Sequence, residues 1–346
     1  MQNNTFATAI LQWYSQNGRK LPWRDTTDPY AIWLSEIILQ QTRISQGTAY
    51  WQRFMLRFPT VESLARASED EVLKLWQGLG YYSRARNLHQ AARQIVALGH
   101  FPDTLEEIRQ LKGVGPYTAA AIASFAFHLP EAVLDGNVYR VLSRHFGIHT
   151  PINTSRGQRE FSALAGALLP PKESAAYNQA MMDFGALQCT PSSPECPQCP
   201  LQETCEAQRQ GIVRQLPAKE KTLKQKTRYL TYVLISCQGR VAMHQRTGAD
   251  IWQGLWEPYN ASRTTSLRTE PAGEIISQLG LQGSEGQLRL VASGIRHTLT
   301  HRKLICDFYT LELASRPPLP ADYVWVELAR LDDLAIPRLV ELLLES

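Results

Sequence analysis

The sequence predicts two domains, an all-α domain followed by an α+β domain. The chain has 346 residues, a length that suits two domains of ordinary size. Residues 1 to about 212 contain one helical pattern after another, whereas β-type sequence follows residue 228. With 44% hydrophobic and 20% charged residues, the chain can form buried cores. We therefore expect an all-α domain at 1–212, a linker at 213–228 and an α+β domain at 229–346.

Capping residues mark the helices of the first domain. Asp28 followed by Pro29 predicts the start of a helix that continues through Thr42. Thr104 and Glu107 form a capping box ahead of an apolar run, which predicts the start of another helix.

Charge marks the linker, and turn residues mark the second domain. Between residues 214 and 228 six basic residues stand against one acid, Glu220, so we expect an exposed segment able to lie along phosphates. Residues 229–237 and 241–245 flank a turn at Gln238 and Gly239, which predicts a hairpin. Further strands are expected at 301–313 and 323–327, and a closing helix at 337–344.

The net charge and the apolar runs limit the class of protein. A net charge of +4 with a pI near 8.7 permits nucleic-acid binding without requiring it. No apolar run approaches the roughly 20 residues of a membrane helix, and the first residues lack the pattern of a signal peptide. We therefore expect a cytoplasmic protein without membrane association, whose cysteines serve as ligands more often than as disulfides.

Four cysteines lie within 17 residues, in the segment 189–205. Six, two and five residues separate them, and prolines between the last three disfavour a helix there. Four thiolates at this density suit either tetrahedral zinc or a [4Fe–4S] cluster. Zinc sites usually show two short paired spacings, whereas only one CxxC occurs here, which favours the cluster. The expected ligands are Cys189, Cys196, Cys199 and Cys205.

A glycine-containing turn joins two helical stretches at residues 111–118. Gly113 and Gly115 allow a tight turn and a close approach of backbone N–H groups to an anion. Pro116 suits the first turn of the following helix, whose positive end would face the same anion. A helix-hairpin-helix that binds a DNA phosphate fits this pattern, and an ordinary helix–helix turn is the alternative.

Two carboxylates lie in contrasting settings. Glu36 has apolar helical neighbours, and such surroundings keep a carboxylic acid protonated, as a general acid requires. Asp135 precedes a helix that should end at Gly147, and a helix N-terminus favours the ionised form. One neutral acid and one anion form the pair that breaks glycosidic bonds. The alternatives are a glutamate at a helix edge and a simple N-cap.

These features together resemble the adenine DNA glycosylases of the MutY family. The resemblance runs through the whole first domain and, more weakly, through the second. The shared segments are Trp33-Leu34-Ser35-Glu36, Leu39-Gln40-Gln41-Thr42, Gly78-Leu79-Gly80-Tyr81-Tyr82, the glycine hairpin, Leu134-Asp135-Gly136-Asn137-Val138 and the four cysteines. The resemblance implies an all-α helix-hairpin-helix glycosylase domain with a [4Fe–4S] cluster, followed by an α+β Nudix-like domain.

The resemblance also implies an activity and a substrate. The protein would act as a monomer on double-stranded DNA, flip out adenine opposite 8-oxoguanine or guanine, and hydrolyse its N-glycosidic bond. Glu36 would protonate adenine at N7, and Asp135 would stabilise the oxocarbenium ion or trap it covalently. Tyr117 and Asn137 would support that centre. Residues expected at the adenine or the DNA are Trp23, Arg24, Leu39, Gln41, Thr42, Tyr81, Gly113 and Gly115.

Tyr117 distinguishes this chain from bifunctional relatives. Endonuclease III-type enzymes carry a lysine directly after the glycine hairpin, which attacks the sugar as a Schiff-base nucleophile. A phenol forms no imine, so we expect a monofunctional glycosylase. Two alternatives are a bifunctional glycosylase–lyase, disfavoured by Tyr117, and a non-catalytic lesion-binding protein, which has no need of Glu36 and Asp135.

The second domain resembles the Nudix-like domain with which this family recognises 8-oxoguanine. It contains no Arg-Glu-x-x-Glu-Glu run, so we expect a binding module rather than a hydrolase. Leu299, Thr300 and His301 occupy a loop that usually has the sequence Phe-Ser-His. Thr300 keeps a hydroxyl group able to bond a base edge, whereas Leu299 lacks an aromatic stacking surface. Cys237 and Cys306 are expected to pack within this domain.

Overall fold

The computed structural model describes residues 2–220, 226–263, 277, 286–299 and 302–345, and it divides the chain into two compact units. The first unit comprises Met1–Arg66 and Gln90–Thr222, and the second comprises Ala67–His89 and Leu223–Ser346. The first is helical and the second contains a β-sheet, so the predicted fold class is confirmed. The segment Ala67–His89, which the sequence placed in the all-α domain, is grouped with the sheet, and its Asp70 and Lys74 bond to Gln245 and Leu334.

The helices begin where capping residues place them. Asp28 accepts a hydrogen bond from the backbone N–H of Tyr30, and Thr104 accepts one from that of Glu107, as predicted. The α-helices whose bounds are described are α1 (Gln2–Asn17), α2 (Pro29–Leu39), α3 (Ile44–Arg57), α4 (Val61–Arg66), α5 (Glu69–Trp76), α6 (Ser83–Leu98), α7 (Leu105–Gln110), α8 (Pro116–Phe127), α9 (Gly136–Phe146), α10 (Ser155–Leu168), α11 (Ser174–Asp183), α12 (Glu206–Arg209) and α13 (Arg338–Leu344).

Helix α2 ends earlier than the sequence predicts. The expected end at Thr42 is wrong, because Gln40 leaves the helical conformation and Gln41 adopts a positive φ of 55°. This turn directs the chain into α3 and leaves Gln41 and Thr42 in a loop beside the end of α2.

Two apolar helices form the centre of the first unit. Every residue of α2 from Tyr30 to Ile38 is buried, and so is the run from Thr118 to Phe125 in α8. The two helices pack against each other, and α11 packs against α8 and α9. Because α2, α8 and α9 carry Glu36, Tyr117 and the Asp135 cap respectively, this core places the predicted site residues at its edge.

The second unit contains a mixed seven-stranded sheet. The strands are β1 (Lys226–Cys237), β2 (Arg240–Gln245), β3 (Trp256–Glu257), β4 (Tyr259–Arg263), β5 (Gly286–Thr298), β6 (Arg302–Leu313) and β7 (Tyr323–Glu327). The main path runs β3-β2-β1-β6-β5, with β4 paired to β1 and β7 to β2. Strands β1 and β6 are parallel, and the other pairs are antiparallel.

The predicted features of the second unit are largely confirmed. Gln238 and Gly239 both have positive φ angles at the β1–β2 turn, as a tight hairpin requires. Cys237 and Cys306 are buried packing residues. Strand β1 begins at Lys226, so the last residues of the expected linker belong to the sheet. None of the helices in the described ranges has the length and apolar character that crossing a bilayer requires.

Candidate active site

The first unit contains a cavity of about 560 Å³ beside the ends of α2 and α8. Nine of the residues predicted from sequence line it, although they come from four separate segments of the chain. They are Trp23, Arg24, Glu36, Leu39, Gln41, Thr42, Tyr117, Asp135 and Asn137. The cavity volume lies within the range of about 300–1,000 Å³ that small-molecule sites occupy.

Glu36 is a buried acid held by a phenol. Its side chain projects from α2, the residue is 6% exposed, and the Tyr117 hydroxyl group donates a hydrogen bond to its Oε2 at 2.9 Å. Burial raises the pKa of Glu36 to about 7, against the opposing effects of Tyr117 and Arg24. Burial and the neighbouring Glu36 also raise the pKa of Tyr117, which therefore stays a hydrogen-bond donor. Glu36 can thus hold a proton near neutral pH.

Asp135 caps α9 and accepts three hydrogen bonds. Its Oδ1 accepts from the backbone N–H groups of Asn137 and Val138, both at 2.8 Å, and its Oδ2 accepts from the Asn137 side chain at 2.6 Å. Burial raises the pKa of Asp135, whereas these donors act in the opposite direction. Because all three of these partners are donors, the carboxylate is the form that satisfies all of them. Arg140 donates to Asn137 Oδ1 at 2.7 Å and fixes that amide.

Three further cavity or wall residues were not found from the sequence. Arg19 and Gln179 line the cavity, and Asp183 binds both Arg19 and Arg24 from behind. Gln179 and Asp183 are four residues apart on α11, so they share a helix face. Two polar residues at this spacing, in a helix rich in alanine and methionine, were the sequence feature that could have indicated a polar site on this face.

The glycine hairpin has the expected backbone. Gly113 has a φ of 77°, and Gly115 caps α8, whose first residue is Pro116. A Cβ added at Gly115 would meet no atom within 4 Å, so the turn is open at this point. Gly113 and Gly115 do not line the cavity, which agrees with an expected role toward the DNA backbone rather than the base.

Tyr81 lies in the second unit, within the loop between α5 and α6. It has a φ of 48° and is 44% exposed, and the Arg84 guanidinium lies 5.7 Å from its ring centroid. Arg84 also donates to the carbonyl groups of Leu79 and Gly80, and the Trp76 indole donates to Gly80. The loop that presents Tyr81 is therefore well braced.

The four predicted cysteine ligands line one small cavity of their own, together with Arg144. Within the described ranges, no three His, Cys, Asp or Glu side chains are close enough to hold a single metal ion. The Arg144 guanidinium lies 3.4 Å from Cys189 Sγ and binds the carbonyl groups of Thr190 and Pro191. Arginine from α9 thus fixes the first part of the cysteine segment.

The loop expected to read 8-oxoguanine is described only in part. Leu299 lies at the tip of the β5–β6 hairpin, where its N–H donates to the Arg302 carbonyl at 2.8 Å. Thr300 and His301 lie outside the described residues.

Comparisons with known proteins agree with this architecture. The model of the HhH-GPD superfamily base excision DNA repair proteins matches residues 34–165, and the NUDIX domain model matches residues 231–346. The structure of a thermostable thymine-DNA glycosylase aligns with a TM-score of 0.57 and 30% identity, over 60% of this chain and 97% of that chain. A non-covalent endonuclease III–DNA complex aligns with a TM-score of 0.53 at 21% identity, over 61% and 97% of the two chains, which shows the shared fold.

Curated relatives show the family. The adenine DNA glycosylase of Buchnera aphidicola subsp. Acyrthosiphon pisum (strain APS) is 37% identical over 261 residues, which cover 74% of each chain. The human adenine DNA glycosylase is 42% identical over 224 residues, which cover 62% of this chain and 41% of the human protein. The resemblance seen in the sequence is confirmed, and the chain belongs to the adenine DNA glycosylase family.

Proposed function

We propose that this protein excises adenine opposite 8-oxoguanine or guanine in double-stranded DNA by hydrolysing the N-glycosidic bond. One observation carries the proposal: a buried acid, Glu36, and a helix-capping carboxylate, Asp135, line the same cavity. The leaving base is inaccessible in the stacked duplex, so the nucleotide must rotate into this cavity.

Glu36 serves as the general acid. With a pKa of about 7, it holds a proton that adenine N7 can take as the bond to the sugar breaks. The hydrogen bond from Tyr117 fixes the carboxyl group, and the buried wall keeps water from competing for the proton.

Asp135 stabilises the positive charge that develops on the sugar. Its three donors fix the carboxylate before the reaction begins, so little reorganisation is needed as charge forms. The same carboxylate can either guide a water molecule or bond covalently to the sugar carbon, and both routes end in hydrolysis.

The cysteine segment supports a [4Fe–4S] cluster rather than zinc. A tetrahedral zinc ion draws its four sulfurs to within about 2.3 Å of one point, whereas a cubane cluster holds them farther apart. Cys189, Cys196, Cys199 and Cys205 line one cavity, and their sequence spacing contains one CxxC rather than the two short pairs usual for zinc, which favours the cluster. The cluster would hold the segment between α11 and α12 in shape, and the residues around adenine perform the chemistry.

The C-terminal unit is proposed to recognise 8-oxoguanine through the β5–β6 hairpin tip. Leu299 provides apolar contact there without an aromatic face. Tyr81, exposed on its braced loop, would enter the duplex beside the mispair.

Base release from defined duplexes tests the proposed function. Under single-turnover conditions, free adenine should leave duplexes that hold adenine opposite 8-oxoguanine or guanine, while an adenine–thymine duplex stays intact. The strand should remain uncut until alkali is added, because Tyr117 offers no amine, and borohydride should trap little covalent adduct. Absence of adenine release would overturn the proposal, and quantitative trapping that persists in Lys112→Ala would overturn its monofunctional character.

The visible absorption spectrum tests the cluster. Protein purified without oxygen is expected to be brown with a broad shoulder, and Cys199→Ser should weaken that absorbance. The matched control is Cys306→Ser, which removes a buried cysteine of the sheet and should leave the spectrum unchanged. A colourless protein that contains zinc would contradict the assignment.

A further inference from the structure

Asp183, the last residue of α11, is a fully buried carboxylate behind the cavity wall. The backbone N–H and the Nε of Arg19 donate to it at 2.8 and 2.9 Å. Arg24 donates to both of its oxygens at 2.8 Å, in a bidentate pair. Burial opposes the charge on Asp183, but the hydrogen bonds from Arg24 and Arg19 hold its pKa below the usual value. One anion is therefore shared between two guanidinium groups.

Both arginines line the cavity that contains Glu36. The Arg24 side chain is 9% exposed, and its positive charge favours the anion of Glu36, lowering the pKa of that group. A general acid needs the opposite, because it must keep its proton until the base departs. An unpaired Arg24 at this wall would therefore weaken the acid function of Glu36.

We propose that Asp183 is a positioning residue of the adenine cavity, which fixes Arg24 and Arg19 at the wall and offsets the positive charge of Arg24 beside Glu36. This inference rests on the proposed function of the same cavity. It assigns a role in catalysis to a residue that lies outside the cavity and acts only through the arginines it holds.

Other charged and titratable groups near Glu36 also affect its pKa, beside the Arg24–Asp183 ion pair. Tyr117 from α8 donates to Glu36, and the Asp135 anion disfavours a second negative charge nearby. Arg43 also lines the cavity. Tyr14 from α1 lies beside the ion pair, accepting a long hydrogen bond from Arg24 and donating to Gln179 at 2.9 Å. Among these groups, Arg24 is the cation that acts on Glu36, and Asp183 is its counter-ion.

The pH dependence of single-turnover adenine release separates this role from a merely structural one. The wild-type rate should fall as the pH rises through about 7, where Glu36 loses its proton. In Asp183→Asn, Arg24 is uncompensated, and the fall should move to lower pH by about one unit. In Arg24→Gln, the cation itself is removed, and the fall should move to higher pH.

A matched control is available in the second unit. Glu257 is a buried carboxylate that pairs with Arg246 and accepts from the Tyr232 hydroxyl group at 2.9 Å. Glu257→Gln should leave the pH at which the rate falls unchanged. Shifts of opposite sign in the two cavity variants, with no shift in this control, support the proposal.

The remaining outcomes are also decisive. A folded Asp183→Asn protein whose rate falls at the wild-type pH would overturn the proposal. Should Asp183→Asn fail to fold, Arg24→Gln decides, because an unshifted profile in that variant overturns the proposal and an upward shift supports it. A wild-type rate with no fall at alkaline pH would instead overturn the acid role of Glu36, and with it the basis of this inference.

Discussion

Replacing Glu36 with glutamine is expected to slow single-turnover adenine release by about 10²- to 10⁴-fold, the range that general acid catalysis typically contributes. Glutamine keeps the shape of the side chain and can still accept the hydrogen bond from Tyr117. It has no acidic proton to give to the base. The measurement is the rate of base release from an adenine–8-oxoguanine duplex with enzyme in excess.

The same variant should still fold and bind DNA. Glu36 is buried and its pKa is raised to about 7, so the amide resembles the protonated form of the acid and adds no buried charge. Unchanged thermal unfolding and duplex binding therefore serve as controls. A Glu36→Gln rate within tenfold of wild type would contradict the acid role.

Asp135→Asn is expected to reduce the rate by about 10²- to 10³-fold, the loss typical when one preorganised electrostatic group is removed. Asparagine retains an oxygen that can accept the backbone N–H groups of Asn137 and Val138, so the N-cap of α9 survives. The negative charge that would face the developing oxocarbenium ion is lost. Single-turnover base release at saturating enzyme measures this effect.

The chain offers a matched control for that substitution. Asp28 caps α2 in the same way and accepts from the Tyr30 N–H at 3.0 Å, but it does not line the cavity. Asp28→Asn should therefore leave the rate unchanged. An Asp135→Asn rate equal to that of Asp28→Asn would reduce Asp135 to a structural cap.

Local features of the sequence predicted much of the fold. The caps at Asp28, Thr104 and Asp135 depend on hydrogen bonds between residues two or three apart, so a short stretch of sequence contains both partners. The β1–β2 turn is equally local, because Gln238 and Gly239 tolerate the positive φ angles that it needs.

Long-range contacts could not be predicted from local sequence patterns. Arg19 and Asp183 are 164 residues apart in the chain, and no local pattern connects them. The grouping of α5 with the second unit depends on similar contacts: Gln245 donates to Asp70 at 2.7 Å, and Lys74 donates to the Leu334 carbonyl at 3.1 Å. These bonds join side chains to distant strands and loops, and only the folded chain brings the partners together.

The candidate site contains both features that the sequence predicts locally and relationships that only the folded chain establishes. Glu36 could be singled out because its helical neighbours are apolar, and Asp135 because it precedes a helix. That the two line one cavity follows from the packing of α2 on α8 and of α11 on both α8 and α9, which sequence spacing does not contain. The resemblance to a known family supplied this relationship before the structure did.

The pH profile of single-turnover adenine release tests the central claim most directly, namely that a protonated Glu36 and an ionised Asp135 act together. Burial raises the pKa of Glu36 to about 7, so the rate should fall about tenfold for each pH unit above that value as the acid loses its proton. Burial also raises the pKa of Asp135, so the rate should also decrease when the pH is lowered and the Asp135 carboxylate becomes protonated. A bell-shaped profile is the predicted result, and a rate that stays constant from pH 6 to about pH 9 would contradict the account.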